Sequence, residues 1–263
     1  MSHNDTTKTG RPIWADCATS DLSVAERFYA DVFGWTSERE TDSQGAIYSV
    51  QRLDGKRVAG IYELTEEMRG LGAPPHWATY FEVGDLDESL DQVKQAGGKL
   101  LDGPMDEDGV GRMAVIQDAV GAYLRLWTPA PDQGGEVFNI PGAMIWNELC
   151  TEDPDQAAAF YKDALGLRAG TIDAGGKPYT LLKIGDDPVA GILLKTPEME
   201  AGGSTWDVYF AADDVDVIVK RAEKAGGTVL SAPFDLPVGG RMAVVQDPMG
   251  AVFEIMQMPE AKE

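Results

Sequence analysis

The chain has 263 residues, of which 43% are hydrophobic and 25% charged, a composition typical of a globular protein that buries a core. Its 44 acidic residues outnumber its 22 basic residues, giving a formal net charge of −22, which argues against binding to nucleic acid or to anionic membranes. No apolar segment approaches the roughly 20 residues needed to cross a bilayer. The polar start MSHNDTTKTG does not resemble a secretory signal, so we predict a cytoplasmic protein.

The chain begins with a predicted strand and a predicted helix. Residues Pro12 to Thr19 alternate in the manner of a strand. Ser20 or Asp21 can cap the next helix by accepting a hydrogen bond from its first turn. Apolar residues then recur at helical spacing from Leu22 to Phe33, and Gly34 can end the helix in a left-handed conformation.

Strands follow this helix, and the same order then restarts. We predict strands over Ala46 to Leu53 and Arg57 to Leu64, joined by a hairpin turn at Asp54-Gly55. A further strand is predicted from Trp77 to Val83 and a second helix from Leu86 to Ala96. Strands continue from there to the middle of the chain. The first half therefore contains two copies of a βαβββ module.

The second half repeats the first. WADCATSDLSVAERFYADVFGW begins at Trp14 and WNELCTEDPDQAAAFYKDALGL begins at Trp146, an offset of 146 − 14 = 132 residues. VAGIYELTEEM recurs as VAGILLKTPEM, and GRMAVIQDAVG recurs as GRMAVVQDPMG. The chain is thus a tandem duplication. We predict a first domain over residues 10–129, a linker rich in proline and glycine over 130–142, and a second domain over 143–260.

The two cysteines do not occupy equivalent repeat positions. Cys17 aligns with Leu149, and Cys150 aligns with Ala18, a shift of one residue that reverses the side-chain direction on a strand. We therefore expect no disulfide, and two reduced thiols agree with a cytoplasmic location.

Four βαβββ modules in tandem, with FY and FGW or LGL near the end of the first helix, AGG after the second and DAVG or DPMG before the last strand, resemble the vicinal oxygen chelate superfamily. That superfamily includes glyoxalase I, bleomycin-resistance proteins and extradiol dioxygenases. The likeness spans Arg11 to Met258 and is greatest to the tandem glyoxalase-like proteins of actinobacteria. It implies an α+β fold in which each half pairs two modules into a cupped, open, barrel-like sheet.

The resemblance also implies where a metal would be held, because metal-dependent members supply His or Glu from the first and last strands of each module. The equivalent positions here are Trp14, Glu63, Ala78, Arg125, Trp146, Leu194, Asp207 and Glu254. Indole and aliphatic side chains offer no lone pair to a metal. Arg125 brings a permanent positive charge. We therefore expect no transition metal; His76 would be an alternative ligand only if the alignment shifted by two residues.

The same alignment places aromatic and charged residues on the concave strand faces. The ligand-binding candidates are Trp14, Asp16, Tyr80, Arg125, Trp127, Trp146, Glu148 and Tyr209. Aromatic walls with a few charges are typical of small-molecule pockets. The alternative is that the tryptophans fill the cups as core.

Carboxylates are the candidates for catalysis and for binding a hard cation. Glu63 and Glu254 are the catalytic candidates, and Glu148, Asp207 and Glu254 could together hold Mg²⁺ or Ca²⁺. The alternative for these three carboxylates is a solvated acidic cleft. The arginines of the two GRMAV segments are predicted to be structural and to bond to the aspartates of the DAVG and DPMG turns.

Two functions follow from these observations. The first is a glyoxalase- or bleomycin-resistance-like protein that binds a small aromatic or cationic molecule without a cofactor, as a monomer or homodimer. The second is a glyoxalase-like lyase, isomerase or oxygenase that uses a divalent cation on the second-half carboxylates. The sequence carries no nucleophile elbow, phosphate-binding loop or dinucleotide fingerprint, so whether the protein is an enzyme stays open.

Overall fold

The computed structural model describes residues 9–41, 45–196, 199 and 202–259. These residues form four modules of one strand, one helix and three strands, which confirms the predicted α+β fold and tandem duplication. The strands make two similar eight-stranded mixed sheets, one for each half of the sequence. Among the described residues, no helix has the length and apolar character needed to cross a membrane.

The first half contains two modules separated by a short helix. The first module consists of β1 (Pro12–Thr19), α1 (Leu22–Phe33), β2 (Thr36–Thr41), β3 (Ile47–Leu53) and β4 (Lys56–Glu63). The short helix α2 (Glu66–Gly70) follows, and the second module consists of β5 (His76–Glu82), α3 (Leu86–Gln95), β6 (Lys99–Glu107), β7 (Gly111–Gln117) and β8 (Tyr123–Pro129). Their strands lie in the orders β2-β3-β4-β1 and β5-β8-β7-β6.

The second half has the same design. The third module consists of β9 (Met144–Thr151), α4 (Pro154–Leu165), β10 (Arg168–Asp173), β11 (Pro178–Ile184) and β12 (Asp187–Leu194). The fourth module consists of β13 (Thr205–Ala211), α5 (Val215–Lys224), β14 (Thr228–Asp235), β15 (Arg241–Gln246) and β16 (Val252–Gln257). In every module the first and last strands are parallel neighbours and the other pairs are antiparallel.

Helix α1 begins and ends where the sequence predicts, and α3 ends one residue before the predicted Ala96. The Asp21 side chain accepts a hydrogen bond from the Val24 amide, and Gly34 adopts the left-handed conformation at φ 77°. Aspartate caps the other three longer helices in the same way, through Asp85, Asp153 and Asp214. These side chains satisfy amide groups that have no partner within the helix.

The predicted hairpin turn between β3 and β4 is confirmed. Asp54 and Gly55 both have positive φ angles, 50° and 80°, as a tight hairpin turn requires.

Two elements of the first half, β2 and α2, were not predicted. Every residue of β2 is exposed, so this strand lacks the apolar alternation that would reveal it. The five-residue α2 buries no side chain.

The helices gather the modules into two compact units that differ from the two sequence halves. Unit 1 combines Thr79–Gly134 with Trp146–Asp207 and the segment ending at Ile13, so it holds most of the second and third modules. Unit 2 combines Trp14–Ala78, Gly135–Ile145 and the chain from Val208 onward, so it holds most of the first and fourth modules. The domain limits inferred from the repeat, 10–129 and 143–260, stay a prediction.

Each unit has its own aromatic core. In unit 1, Phe81, Phe160 and Tyr161 are fully or almost fully buried and belong to one cluster of apolar side chains. In unit 2, Phe28 on α1 packs edge-on against Phe253 of the fourth module, with ring centroids 6.1 Å apart. Apolar burial therefore joins residues that are distant in the sequence in both units.

A buried hydrogen-bonded relay recurs in the two cores. In unit 1, the Trp206 Nε1 donates to the Tyr161 hydroxyl at 2.8 Å, and this hydroxyl donates to Asp118 at 2.6 Å. Burial raises the pKa of the Asp118 carboxyl, although hydrogen bonds from Tyr161 and the adjacent turn oppose the effect. The relay explains the FY and DAVG segments, since a helix tyrosine holds the turn before the last strand.

Unit 2 contains the equivalent relay. The Trp77 Nε1 donates to the Tyr29 hydroxyl at 2.9 Å, and this hydroxyl donates to Asp247 at 3.1 Å. Asp247 also accepts hydrogen bonds from backbone amides of the DPMG turn. Burial again raises the pKa of this carboxyl. Cys17 and Cys150 are both buried and free.

The prediction for the GRMAV arginines was wrong in its partners. Arg112 pairs with Asp87 and Asp106 instead of Asp118. Arg241 likewise pairs with Asp216 and Asp235 in place of Asp247. The turn aspartates accept hydrogen bonds from Tyr161 and Tyr29. Each arginine instead pairs with one aspartate in the first turn of a neighbouring helix and one on the adjacent edge strand.

Candidate functional site

The predicted site residues belong to both compact units, and each unit is described in turn. In unit 2, Trp14 on β1 is 5% exposed. Its Nε1 donates a hydrogen bond of 2.8 Å to the hydroxyl of Tyr48 on β3. The strand between them is β4, where Gly60 leaves room for the tyrosine, because a Cβ at that glycine would lie 1.8 Å from the Tyr48 hydroxyl.

Trp146, in unit 1, makes the equivalent contact. Its Nε1 donates to the Tyr179 hydroxyl at 2.9 Å. A Cβ on Gly191 would lie 1.8 Å from that hydroxyl. Trp146 is half-buried. The tryptophan that begins each repeat therefore fixes a tyrosine two strands away, across a glycine that has no side chain to obstruct it.

Glu148 lies two residues after Trp146 and continues this hydrogen-bonded group. Tyr179 is hydrogen-bonded to Glu148, and burial together with the nearby Glu148 charge raises the pKa of the tyrosine far above its ordinary value. Glu148 is itself buried. The tyrosine thus stays protonated at neutral pH, and its hydroxyl donates a hydrogen bond to the carboxylate.

Asp207 lies on β13 and has a different partner. The Cys150 thiol is hydrogen-bonded to its carboxyl group. Burial raises the pKa of Asp207, whereas hydrogen bonds from Cys150 and Thr205 and the charge of Lys195 oppose this rise. The Lys195 ammonium also donates to the Gly202 carbonyl at 3.0 Å. Asp207 is therefore engaged with protein groups in unit 1.

Three predicted ligand residues come together on another face of unit 1. The Arg125 guanidinium lies 4.9 Å from the centre of the Tyr80 ring and donates to the Tyr80 hydroxyl. Trp127 packs edge-on against the same ring, with centroids 5.8 Å apart. Tyr80 and Trp127 are buried, while Arg125 is partly exposed. A cation held over an aromatic ring is electrostatically stabilised.

The equivalent residues of the fourth module belong to unit 2. Tyr209 and Glu254 are register partners on the parallel strands β13 and β16. They are 5% and 6% exposed respectively. Asp16, also in unit 2, is 1% exposed. The structure therefore places the predicted ligand residues of this unit in buried or nearly buried positions.

Glu63 stands apart from the other candidates. About half of its side chain is exposed, its carboxylate lies 3.5 Å from the Arg69 guanidinium, and it accepts a hydrogen bond from the Leu22 amide at 3.4 Å. Its ion-pair partner is therefore Arg69. Glu63, the last residue of β4, thus lies in an exposed ion pair beside the start of α1.

The side chains at the family's metal positions do not fit a transition metal. In the first half, the Trp14 indole donates to Tyr48, Ala78 has no ligand atom, and Arg125 supplies a guanidinium. In the second half, the Trp146 indole donates to Tyr179 and the Leu194 side chain is aliphatic. Across residues 9–41, 45–196, 199 and 202–259, no group of three or more His, Cys, Asp or Glu is arranged to hold a metal ion. The His76 Nδ1 is hydrogen-bonded to the Pro74 carbonyl at 2.8 Å.

The fold and this paired arrangement of modules define a family. The chain belongs to the Glyoxalase/Bleomycin resistance protein/Dioxygenase superfamily, whose family model matches residues 13–126 and 143–255. Both repeats are covered, in agreement with the resemblance read from the sequence.

Among individual proteins, the chain is 38% identical over 252 residues to the "Putative glyoxylase CFP32" of Mycobacterium tuberculosis, with 95% of each chain covered. It is 35% identical over 266 residues to the anthracycline biosynthesis protein DnrV of Streptomyces peucetius, covering 95% of this chain and 94% of that protein.

Solved structures share the fold at low sequence identity. The Mn(II)-bound glyoxalase from Novosphingobium aromaticivorans superposes with a TM-score of 0.66 at 16% identity, over 96% of this chain and 83% of that one. The 2,3-dioxygenase LapB from Pseudomonas sp. KL28 gives a TM-score of 0.64 at 16% identity, over 97% of this chain and 95% of that one.

Sequence reasoning missed Tyr48 and Tyr179, the acceptors for the two repeat tryptophans. A signal for them was present, because IYS and PYT occupy matching places in the repeats, and VAGI recurs with its glycine. Without knowledge of which strands are neighbours, nothing connected those tyrosines to the tryptophans.

Proposed function

We propose that the protein binds a small aromatic molecule and does so without a transition metal. One observation carries the proposal: the side chains at the family's metal positions include an indole donor and a guanidinium, each engaged with a tyrosine hydroxyl. Such groups cannot be metal ligands. They can stack on aromatic ligands and hydrogen-bond to them.

Trp146 offers a partly accessible aromatic surface to a ligand. It is half-buried, whereas Trp14 and Trp127 are 5% and 4% exposed. An indole that is partly accessible and held by Tyr179 has a fixed ring plane on which a planar ligand can stack. The name of the DnrV relative refers to anthracycline biosynthesis, and anthracyclines are polycyclic aromatic compounds, which agrees with this ligand class.

The negative charge near Trp146 and on the whole chain means that the ligand can also be a cation. Glu148 is a buried carboxylate two residues from Trp146, and the whole chain carries a formal charge of −22. A ring that also bears a protonated nitrogen would gain from both the indole face and the carboxylate. The protein uses no organic cofactor in this proposal, and its partner is the small molecule itself.

A titration with the Trp146→Phe variant tests the proposal. Naphthalene probes should quench the tryptophan fluorescence of the wild type, and the affinity should fall several-fold in the variant, since an aromatic pair is worth about 0.5–1.5 kcal/mol. Leu71→Ala is the matched control because Leu71 is 81% exposed. The proposal fails if no probe in the panel shifts the melting temperature or quenches the fluorescence.

Thermal melts of Trp146→Ala separate a pocket residue from a core residue. A stability loss of about 3–5 kcal/mol is typical for truncation of a large core aromatic. We expect a smaller loss because the side chain is only half-buried. The full core penalty, together with unchanged probe binding, would show that Trp146 fills space and binds nothing.

Dialysis against a chelator tests the metal-free part of the proposal. Probe affinity and melting temperature should be the same before and after treatment, and metal analysis of the untreated protein should give far less than one equivalent of Ni, Zn, Mn or Fe. A stoichiometric metal whose removal abolishes binding would instead favour the metal-dependent enzyme, with Glu148, Asp207 and Glu254 as the residues to substitute next.

A further inference from the structure

The second and fourth modules present equivalent sheet faces that differ in charge. In each module, one face of the sheet packs on the helix-side core, and the opposite face carries side chains that do not belong to that core. The Arg125 face, in unit 1, consists of Tyr80, Met105, Met113, Val115, Arg125 and Trp127. The Glu254 face, in unit 2, consists of Tyr209, Phe234, Met242, Val244, Glu254 and Met256.

Strand register shows that the two faces are built alike. On the Arg125 face, Arg125 is the register partner of both Tyr80 and Val115, and Met113 is the partner of both Trp127 and Met105. All six residues have their counterparts 129 positions later, as in 254 − 125 = 129. The two faces are therefore copies of one surface.

The same register holds on the copy. Glu254 is the register partner of both Tyr209 and Val244, and Met242 is the partner of both Met256 and Phe234. The tyrosine, the valine and one methionine are retained between the faces. The central charged position is inverted, with a guanidinium in one copy and a carboxylate in the other.

The apolar side chains around Arg125 and Glu254 strengthen the effect of each charge on a ligand. Both central charges lie among aromatic, methionine and valine side chains, where the effective dielectric is lower than in water and a charge acts more strongly on a ligand. Arg125 is held in place by the Tyr80 ring and hydroxyl. Its guanidinium stays positive at every physiological pH and can hold a carboxylate with two parallel hydrogen bonds.

One further charge belongs to the Arg125 face. Glu82, the register partner of Trp127 at the end of β5, corresponds to Ala211 in the other copy. A ligand with a single negative charge would therefore orient its charged group towards Arg125 and its rings towards the methionines. No such second charge stands at the equivalent place on the Glu254 face.

We propose that the two faces select ligands of opposite charge: the Arg125 face takes a planar aromatic anion, and the Glu254 face takes a planar aromatic cation. This inference rests on the proposed binding of aromatic molecules and goes beyond it, because neither face includes Trp146. The protein then has two inequivalent sites in place of two copies of one site. The duplication supplies the apolar surface twice, and the residues at positions 125 and 254 on the last strand of each module set the charge preference.

Three probes of equal ring size test the proposal: naphthoate, naphthylmethylammonium and neutral naphthalenemethanol. Each is titrated into the full-length protein by calorimetry. Wild-type protein should bind the anion and the cation at about one equivalent each, without competition between them. Both affinities should fall as the salt concentration rises, whereas binding of the neutral probe should change little.

Charge-neutralising variants assign each probe to its face. Arg125→Gln should shift the ratio of anion to cation affinity about tenfold or more towards the cation, because a lost hydrogen bond to a charged group has that size. Glu254→Gln should shift the same ratio towards the anion. Arg112→Gln is the matched control, since Arg112 pairs with Asp87 and Asp106 on the surface, and it should leave the ratio unchanged.

The outcomes distinguish the inference from the function on which it rests. If all three probes bind but neither variant shifts the ratio, charge selectivity is refuted and aromatic binding stands. If the anion and the cation compete for one equivalent, the two-site assignment is refuted. If no probe binds the folded wild type, the proposed function fails and this inference fails with it. A variant that loses its far-UV circular dichroism is replaced by Arg125→Lys or Glu254→Asp, whose expected ratio shifts have the same sign and are smaller.

Discussion

Gly191 lies between Tyr179 and Trp146, and its substitution tests the geometry of the site. In Gly191→Ala, the new Cβ would lie 1.8 Å from the Tyr179 hydroxyl, whereas non-bonded carbon contacts lie at about 3.5–4.0 Å. The ring must therefore move far enough to break the 2.9 Å bond from Trp146 and the bond to Glu148. Loss of one neutral and one charged hydrogen bond costs about 2–4 kcal/mol.

The loss is partly offset, because alanine reduces the entropy of the unfolded chain by about 0.4–1 kcal/mol relative to glycine. Urea denaturation should therefore show Gly191→Ala to be destabilised by roughly 1–4 kcal/mol. In a Tyr179→Ala background, the same substitution should cost much less, because the close contact that remains is 3.0 Å to the Trp146 Nε1. Gly70→Ala is the control, because a Cβ at Gly70 meets no atom within 4 Å. An equal cost in both backgrounds would show that the strand backbone, and not the tyrosine, requires the glycine.

Two further predictions concern buried and partly buried hydrogen bonds. Tyr161→Phe should lower the free energy of unfolding by about 1–3 kcal/mol, since Asp118 loses a donor and Trp206 loses its acceptor; an unchanged urea midpoint would contradict this. In Glu26, burial tends to raise the carboxyl pKa, but bonds from Arg39 and a serine outweigh it and hold the pKa below its ordinary 4.5. Its stabilisation is present above that value and is lost as the pH falls through the lower folded pKa, so the stability gap between wild type and Glu26→Gln should narrow on acidification; a constant or widening gap would refute this.

The order of elements could be predicted from the sequence because local rules determine it. Asp21 and Gly34 are capping residues whose role depends on neighbours within one helical turn. Asp54-Gly55 similarly specifies its own turn. The repeat then extended each local prediction to a second copy.

The contacts of the site could not be predicted because they depend on strand order. Trp14 meets Tyr48 only because β3 lies two strands from β1. The arginines of GRMAV met helix aspartates 25 residues away, as Arg112 does with Asp87, and no local pattern distinguishes those aspartates from the turn aspartates. Glu63 was chosen by alignment alone, and its exposure depends on the end of a strand.

Each compact unit combines segments that are far apart in the sequence, and this affects folding during synthesis on the ribosome. Unit 2 needs the segment ending at Ala78 and the segment beginning at Val208, and 208 − 78 = 130 positions separate them. At about 5–20 residues per second, roughly 7–26 s pass between synthesis of the two parts. During that interval Phe28 and Phe33 on α1 lack their later partner Phe253.

This delay leaves an aromatic surface of the first module without its partner on the nascent chain. Each core contains residues from both halves of the sequence. Proteolysis in the linker would therefore not release two independent domains, because each fragment would hold one part of both cores. A chain stopped after the first copy would therefore hold parts of both cores and complete neither.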